Sequence, residues 1–285
     1  MLALFRNLLA PPRDLILIVV AAWFGLSLAE KRAARYNVNA EVLNNLIFAS
    51  LIAYILGGRL FYAAEHLAAF MQSPLSLISL NITLFDSWGA LATAIVTGLV
   101  YAQRKGLSLW STLDALTLFF ATLAVGLGFS HLASGAAFGQ EASLPWAINL
   151  WGAMRHPTQI YEIIASILTL GLLWFRKVDS KPGSDFLLFA ALTAASRLFI
   201  EAFRGDSTLV FGGLRAAQLA AWIILATALL TLEFLKPQTA QTIVIEEEAR
   251  PIKAENKKAK STAAKPKKNN PKTMKKSTKR KTPKA

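Results

Sequence analysis

The chain of 285 residues contains no cysteine, which excludes disulfide bonds and a catalytic thiolate of its own. Its only histidines are His66, His131 and His156, and their wide spacing does not form a paired metal-ligand motif. We therefore expect neither a metal ion nor another cofactor. Charged residues make up only 17% of the chain, whereas 54% is hydrophobic and the mean hydropathy is +0.42. This composition is typical of an integral membrane protein.

The net charge of +14 lies almost entirely at the C-terminal end. Residues 236–285 contain 16 Lys and Arg against 4 acidic residues, whereas residues 1–235 contain 15 against 13. Because the C-terminal segment has too few apolar residues to bury a core, we predict a disordered Lys-rich cytoplasmic tail behind a folded membrane domain. Its lysines are expected to bind anionic lipids of the inner leaflet. No nucleic acid is expected as a partner, since no aromatic residues interleave for base stacking.

Seven apolar segments occupy the membrane domain, and a helix needs about 20 residues to cross a bilayer. They cover residues 15–29, 42–64, 84–103, 111–133, 158–175, 185–203 and 212–235. The predicted fold is an all-α polytopic membrane protein with seven transmembrane helices. Lys and Arg are concentrated after the first, third, fifth and seventh segments. Since positive residues favour the cytoplasmic side, this alternation places the N-terminus outside and the C-terminus in the cytoplasm.

The most polar stretch at a predicted membrane boundary is the octet 155–162, which reads Arg-His-Pro-Thr-Gln-Ile-Tyr-Glu and lies at the outer face. Such groups are costly to bury unless they pair with one another or with a ligand. In the sixth segment, Arg197 and Glu201 are four residues apart, so they share a helix face and can pair. Arg59 lies near the outer end of the second segment. We expect these charges to converge at one membrane depth.

The octet resembles the R-H-P-[ST]-Q-x-Y-E signature of prolipoprotein diacylglyceryl transferases. Further motifs of that family follow in the same order, and the similarity covers roughly residues 23–235. They include the F-G-L of 24–26, the G-G-R-L of 57–60, the L-P-W of 144–146, the R-L-F-I-E-A-F-R of 197–204 and the Q-L of 218–219. The octet is the most specific of these, because its spaced positions match in the expected topological context.

The resemblance implies a multi-pass enzyme of the bacterial cytoplasmic (inner) membrane. Members of the family move the diacylglyceryl group of phosphatidylglycerol onto the lipobox cysteine of a lipoprotein precursor and leave glycerol phosphate. The implied partners are therefore phosphatidylglycerol and the signal peptides of lipoprotein precursors. The family also has seven transmembrane helices and a cytoplasmic C-terminus, in agreement with the topology predicted from the charges.

Two family elements are altered in this chain. In the S-F-H-G-G element, Trp88 replaces the histidine. In the G-R-I-G-N-F-x-N-G-E element, the arginine, both asparagines and the glutamate are replaced by Gly128, His131, Ser134 and Ala136. Much of the head-group site that the resemblance implies is therefore changed.

The transfer requires a base that deprotonates the substrate cysteine and positive charge that stabilises the phosphate leaving group. The predicted catalytic residues are Arg197, Glu201 and His156. The predicted substrate-binding residues are Arg59, Arg155, Gln159, Tyr161, Glu162, Arg204 and His131. The candidates for the base are His156, His131 and Glu201, and the sequence does not choose among them.

Structural interpretations of the same residues also stay open. His156, together with Gln159 and Glu162, can cap the start of the fifth helix. His131 can be an interfacial histidine with ordinary contacts, and the ion pair of Arg197 can serve only to fix helix packing.

Three functions are consistent with the sequence. The first is a diverged diacylglyceryl transferase, and the second is a catalytically impaired paralogue that binds lipid or lipoprotein precursor. The third is a small membrane transporter or scaffold, against which the absence of repeated broken helices argues.

Overall fold

The computed structural model describes residues 2–73, 84–177 and 181–235, and seven helices of 18 residues or more dominate it. They are α2 (Leu15–Ala33), α3 (Ala40–Glu65), α5 (Ser87–Arg104), α6 (Leu109–Ser134), α7 (Thr158–Phe175), α8 (Ser184–Glu201) and α9 (Ala216–Leu235). Each matches one of the seven predicted apolar segments to within about four residues at either end. The predicted tail lies outside the described residues, so the division into two domains stays a prediction.

Four of these helices, α3, α6, α7 and α9, are long and apolar enough to cross a bilayer by length and composition. The other three long helices are more polar and do not meet these limits. The α2 and α8 helices each contain three charged residues, and α5 ends in the polar Gln103-Arg104. The chain is thus a helical multi-pass membrane protein.

The remaining elements are short and lie between or before the long helices. They are α1 (Leu2–Leu9), a 3-10 turn at Ala34–Tyr36, α4 (Leu67–Gln72) and the two hairpins β1 (Ile148–Leu150) with β2 (Ala153–Arg155) and β3 (Leu209–Val210) with β4 (Leu214–Arg215). The all-α prediction holds for the helical body but missed the hairpins, which lie in the connections before α7 and α9.

The β1–β2 hairpin sets the position of the octet. Its two-residue turn, Trp151-Gly152, has positive φ at both positions, 56° and 77°, as the hairpin turn of type I′ requires. The Trp151 indole Nε1 donates a hydrogen bond to the Gly135 carbonyl oxygen at 2.9 Å, which ties the turn to the end of α6. The chain then enters α7 at Thr158, three residues after Arg155.

The α6 helix is the central element of the bundle, since it packs against α1, α2, α7 and α8. Small residues allow this close packing. A Cβ at Gly126 would clash with the Ala21 Cβ of α2, and one at Gly25 would lie 3.1 Å from the Phe119 carbonyl oxygen of α6. The C-terminal end of α6 therefore lies close to the ends of several neighbouring helices. The candidate site lies at this end of α6.

Candidate active site

Ionisable side chains from α6, α7, α8 and the following loop converge on Glu162, in the second turn of α7. Its Oε1 accepts hydrogen bonds from Arg197 Nη1 at 3.1 Å and from Arg204 Nη1 at 3.0 Å. Its Oε2 lies 2.8 Å from His131 Nδ1 on α6. One carboxylate thus links three helical elements, and only 13% of its side chain is exposed. Such buried charges are stable only when they are paired.

Glu201, the last residue of α8, is the second carboxylate of the network. Arg197 Nη2 lies 3.0 Å from Glu201 Oε2, which confirms the pairing that the spacing of four residues predicts. Arg204 Nε lies 3.8 Å from the same oxygen. The contact is an ion pair without hydrogen-bond alignment, because this oxygen has no hydrogen-bond donor among the residues that the structure describes. With 1% of its side chain exposed, Glu201 is closed to a substrate.

All three guanidinium nitrogens of Arg204 bind protein groups. Its Nε and Nη2 donate to the two oxygens of Asp206 at 2.8 and 2.9 Å, and its Nη1 donates to Glu162. Burial lowers the pKa of Arg204, but the hydrogen bond and charge of Asp206, with the charges of Glu162 and Glu201, raise the pKa overall. Sequence reasoning missed Asp206, although its position two residues after Arg204 is a usable signal for a bidentate pair.

Arg197 is the more open of the two arginines, with 36% of its side chain exposed. Within the described part of the chain its ion pairs use one donor on each Nη atom, to Glu162 and Glu201. A guanidinium carries five N–H donors, so Arg197 retains donors for an anionic ligand. It also lines the cavity beside the network.

This cavity lies between α6, α7 and α8 and has a volume of about 170 Å³. Its polar end is formed by His131, Glu162 and Arg197, whereas small and apolar residues line the rest. The latter include Ala121, Ala124, Leu127, Ala165, Thr169 and Phe189. Ala121 and His131 are ten residues apart on α6, so the cavity follows the helix for about 15 Å at the usual rise per residue. It suits a ligand with an apolar chain and a charged head.

Two residues of the octet hold the segment that follows α6. The Thr158 hydroxyl donates to the Ala137 carbonyl oxygen at 2.6 Å, and Gln159 Nε2 donates to the Ala136 carbonyl oxygen at 2.8 Å. Both side chains are completely buried. Gln159 therefore contributes to the local fold.

The interpretation of His156, Gln159 and Glu162 as helix caps is wrong. Pro157 occupies the N-cap position of α7, and in the described residues none of these three side chains binds the backbone donors at the helix start. The His156 ring instead lies 5.0 Å from the Phe203 ring, between centroids.

Arg155 is held by the hairpin and by the segment after α6. Its Nε donates to the Leu150 carbonyl oxygen at 3.1 Å and its Nη1 to the Gly139 carbonyl oxygen at 3.3 Å. Its Nη2 lies 3.4 Å from Glu141 Oε1, and its guanidinium stacks over the Phe138 ring. Arg155 therefore fixes the loop that carries the octet, and 17% of its side chain is exposed.

The structure thus brings five of the predicted site residues into direct contact, places four others in the adjoining layer and leaves Arg59 outside the cavity. The five are His131, Glu162, Arg197, Glu201 and Arg204. Arg155, His156, Gln159 and Tyr161 lie in the adjoining layer, formed by the end of β2 and the start of α7, in which the Tyr161 hydroxyl accepts a hydrogen bond from Trp146 Nε1 at 2.9 Å. Arg59 lies half-buried on α3 and does not line the cavity.

Comparison with known proteins identifies the family. A sequence model described as prolipoprotein diacylglyceryl transferase matches residues 15–233. The chain belongs to the prolipoprotein diacylglyceryl transferase family. The resemblance drawn from the octet is thereby confirmed.

Three relatives illustrate this family membership, and each carries the name phosphatidylglycerol–prolipoprotein diacylglyceryl transferase. The relative from Nostoc sp. is 29% identical over an alignment of 238 residues, which covers 77% of this chain and 83% of that protein. The one from Shouchella clausii is 28% identical over 75% of this chain and 82% of its own length. The one from Thermotoga maritima is 29% identical over 73% and 75%, respectively.

Gly128, which the resemblance aligns with an arginine, lies where α6 and α7 approach closely. A Cβ on Gly128 would lie 2.8 Å from Ile163 Cγ1 and 3.3 Å from the Ile163 backbone nitrogen. Because α6 and α7 approach so closely here, the arginine of the family pattern does not fit at this position without a shift of α7.

Proposed function

We propose that this protein is a phosphatidylglycerol–prolipoprotein diacylglyceryl transferase that modifies the lipobox cysteine of lipoprotein precursors. One observation carries the proposal: the cavity between α6, α7 and α8 has apolar walls and ends at Arg197, Glu162 and His131. In this proposal an acyl chain occupies the apolar part, and the head-group phosphate lies at the charged end.

Arg197 is the residue that we assign to the phosphate. It combines an exposed guanidinium with unused donors and a position in the cavity wall. Positive charge at this point stabilises the phosphate as its ester bond breaks, which is the electrostatic contribution the reaction needs most. Arg204 and Glu201 hold Arg197 and Glu162 in place, as positioning residues.

The proposed setting is the bacterial inner membrane, with seven spans, the N-terminus outside and the C-terminus in the cytoplasm. The alternation of Lys and Arg between loops supports this orientation. It places the octet and the cluster at the outer face. The Lys-rich segment after residue 235 is proposed to contact anionic lipids of the inner leaflet.

A catalytically impaired paralogue that binds lipid or precursor is the second candidate. The charge balance of the cluster favours it, because two arginines face three carboxylates. The arginines are Arg197 and Arg204, and the carboxylates belong to Glu162, Glu201 and Asp206. An anionic head group has to compete with these carboxylates.

Complementation of a bacterial strain depleted of its own transferase tests the proposal. The wild-type protein should restore diacylglyceryl-modified lipoprotein, as measured by mass spectrometry of the lipoprotein N-terminus. Arg197→Ala should reduce the modification at least about 100-fold, because it removes the phosphate-binding charge.

Arg104→Ala is the matched control, since Arg104 is exposed at the end of α5 and should leave the modification unchanged. If the wild-type protein accumulates in the membrane and no lipoprotein is modified, the proposal fails and the impaired paralogue is favoured.

A further inference from the structure

A histidine–carboxylate pair forms part of the cavity wall. His131 Nδ1 lies 2.8 Å from Glu162 Oε2. An ionised carboxylate only accepts hydrogen bonds, so in the neutral ring Nδ1 carries the proton and Nε2 carries the lone pair. Nε2 makes no hydrogen bond to the residues that the structure describes. The pair therefore has the tautomer that a general base requires.

The orientation of the pair is fixed from both sides. Arg197 and Arg204 hold Oε1 of Glu162, which leaves Oε2 for His131. One turn before His131, the close approach of α6 to α7 at Gly128 brings the two helices within reach of this hydrogen bond. A larger residue at 128 would separate them.

Its position in the cavity wall distinguishes His131 from the other two candidates for the base. His131 lines the cavity, and 34% of its side chain is exposed. Glu201 is 1% exposed and does not line the cavity. His156 does not line it either, and its Nδ1 is buried without a hydrogen-bond partner in the described part of the chain.

We propose that His131, oriented by Glu162, is the general base of the transfer reaction; this inference rests on the proposed function. Nε2 accepts the proton of the lipobox thiol, and the resulting thiolate attacks the glyceryl carbon that carries the phosphate ester. The S–C bond forms and the C–O bond breaks, with the electron pair leaving on the phosphate oxygen. The proton then passes from the imidazolium to the glycerol phosphate that leaves.

The charged groups around His131 are consistent with this role. Glu162 on α7 stabilises the imidazolium, and Arg197 on α8 lines the same cavity. From the N-terminal side, Asp14 accepts a hydrogen bond from Ser130, and Arg6 stacks over the Trp151 ring. Glu201 and Arg204 complete the network one contact further away.

The test is the pH dependence of transfer by the purified protein, with phosphatidylglycerol vesicles and a lipobox peptide as substrates. His131→Asn should lower the rate about 100-fold or more at neutral pH, in the range typical of a lost general base. The pH profile of the wild type should differ in shape from that of the variant. The residual rate of the variant should rise about tenfold per pH unit up to the ordinary thiol pKa of the peptide, about 8.5.

His66→Asn is the matched control, because His66 lies at the end of α3 and stacks on Tyr62. Its rate and pH profile should equal those of the wild type. Where His131→Asn fails to insert into the membrane, His131→Gln is measured in its place. Equal rates and profiles for wild type and the variant at 131 would overturn the role of His131 and leave the proposed function intact. An inactive but folded wild-type protein would overturn both.

Discussion

At the scale of single residues, two buried acids are held by different partners. Glu162 is paired with the cations of the cluster, whereas Asp114, near the other end of α6, accepts backbone hydrogen bonds from the start of α8. Its two oxygens accept from the backbone nitrogens of Gly183 at 2.5 Å, Asp185 at 3.1 Å and Phe186 at 2.9 Å. Asp114 therefore caps a helix that it does not belong to.

The side chain of Asp185, the second residue of α8, further stabilises the start of this helix. The Tyr36 hydroxyl donates to Asp185 Oδ2 at 2.5 Å, and Arg176 Nε lies 3.3 Å from Oδ1. Burial, followed by the hydrogen bond to Asp185, raises the pKa of Tyr36, so the phenol remains protonated and continues to donate.

Replacement of Asp114 should destabilise the protein. Asp114→Ala leaves three backbone N–H groups without their acceptor, and we expect a loss of about 3 kcal/mol in the free energy of unfolding. Asp114→Asn keeps one acceptor oxygen, so its free energy of unfolding should lie between those of the wild type and Asp114→Ala. Unfolding of the purified protein in detergent measures the effect.

Glu41→Ala is the matched control, since Glu41 is exposed in the first turn of α3 and its removal should change stability by about 0.5 kcal/mol or less. Equal stabilities for the variants at 114 and 41 would contradict the capping role of Asp114.

Sequence patterns predict contacts within one helix better than contacts between helices. The Arg197–Glu201 pair followed from its spacing of four residues. The contact of Glu162 with His131 did not, because it depends on the approach of α6 to α7 and not on any local pattern. The same holds for Asp114, whose partners lie about 70 residues away along the chain.

At the scale of elements, the helices were predictable and the hairpins were not. Hydropathy located all seven long helices, since each is a long continuous apolar run. The strands are only two or three residues long, and Gly152 in its turn was the sole local signal for β1–β2. Strands this short leave no alternating pattern in the sequence.

The contact of α2 with α6 yields a prediction at this scale. Gly126→Ala should destabilise the protein by about 1–3 kcal/mol, because the new methyl group meets Ala21 Cβ and lies 3.2 Å from the Leu17 carbonyl oxygen, so one helix has to shift. Thermal unfolding in detergent micelles measures the change.

Gly171→Ala on α7 is the control for this substitution, since among the described residues no atom outside the local helix backbone lies within 4 Å of its added Cβ. It should leave the free energy of unfolding unchanged or raise it slightly, because alanine has a higher helix propensity than glycine. Equal effects at 126 and 171 would show that helix propensity, and not the contact with α2, determines the outcome.

At the scale of the whole molecule, composition established a membrane protein and the motifs established the family. The sequence did not predict how the helices pack against one another. Their arrangement pairs α2 with α6, α3 with α5 and α8 with α9, and it leaves a cavity along α6 that ends at the charged cluster. Because this cavity is formed by three helices from distant parts of the chain, only the folded structure reveals it.

Group transfer by the purified wild-type protein measures the proposed activity directly. Phosphatidylglycerol vesicles and a lipobox peptide are incubated with the protein, and both products are followed by mass spectrometry. We expect the peptide cysteine to gain a diacylglyceryl group and glycerol phosphate to appear mole for mole. A folded protein that yields neither product would contradict the proposed function.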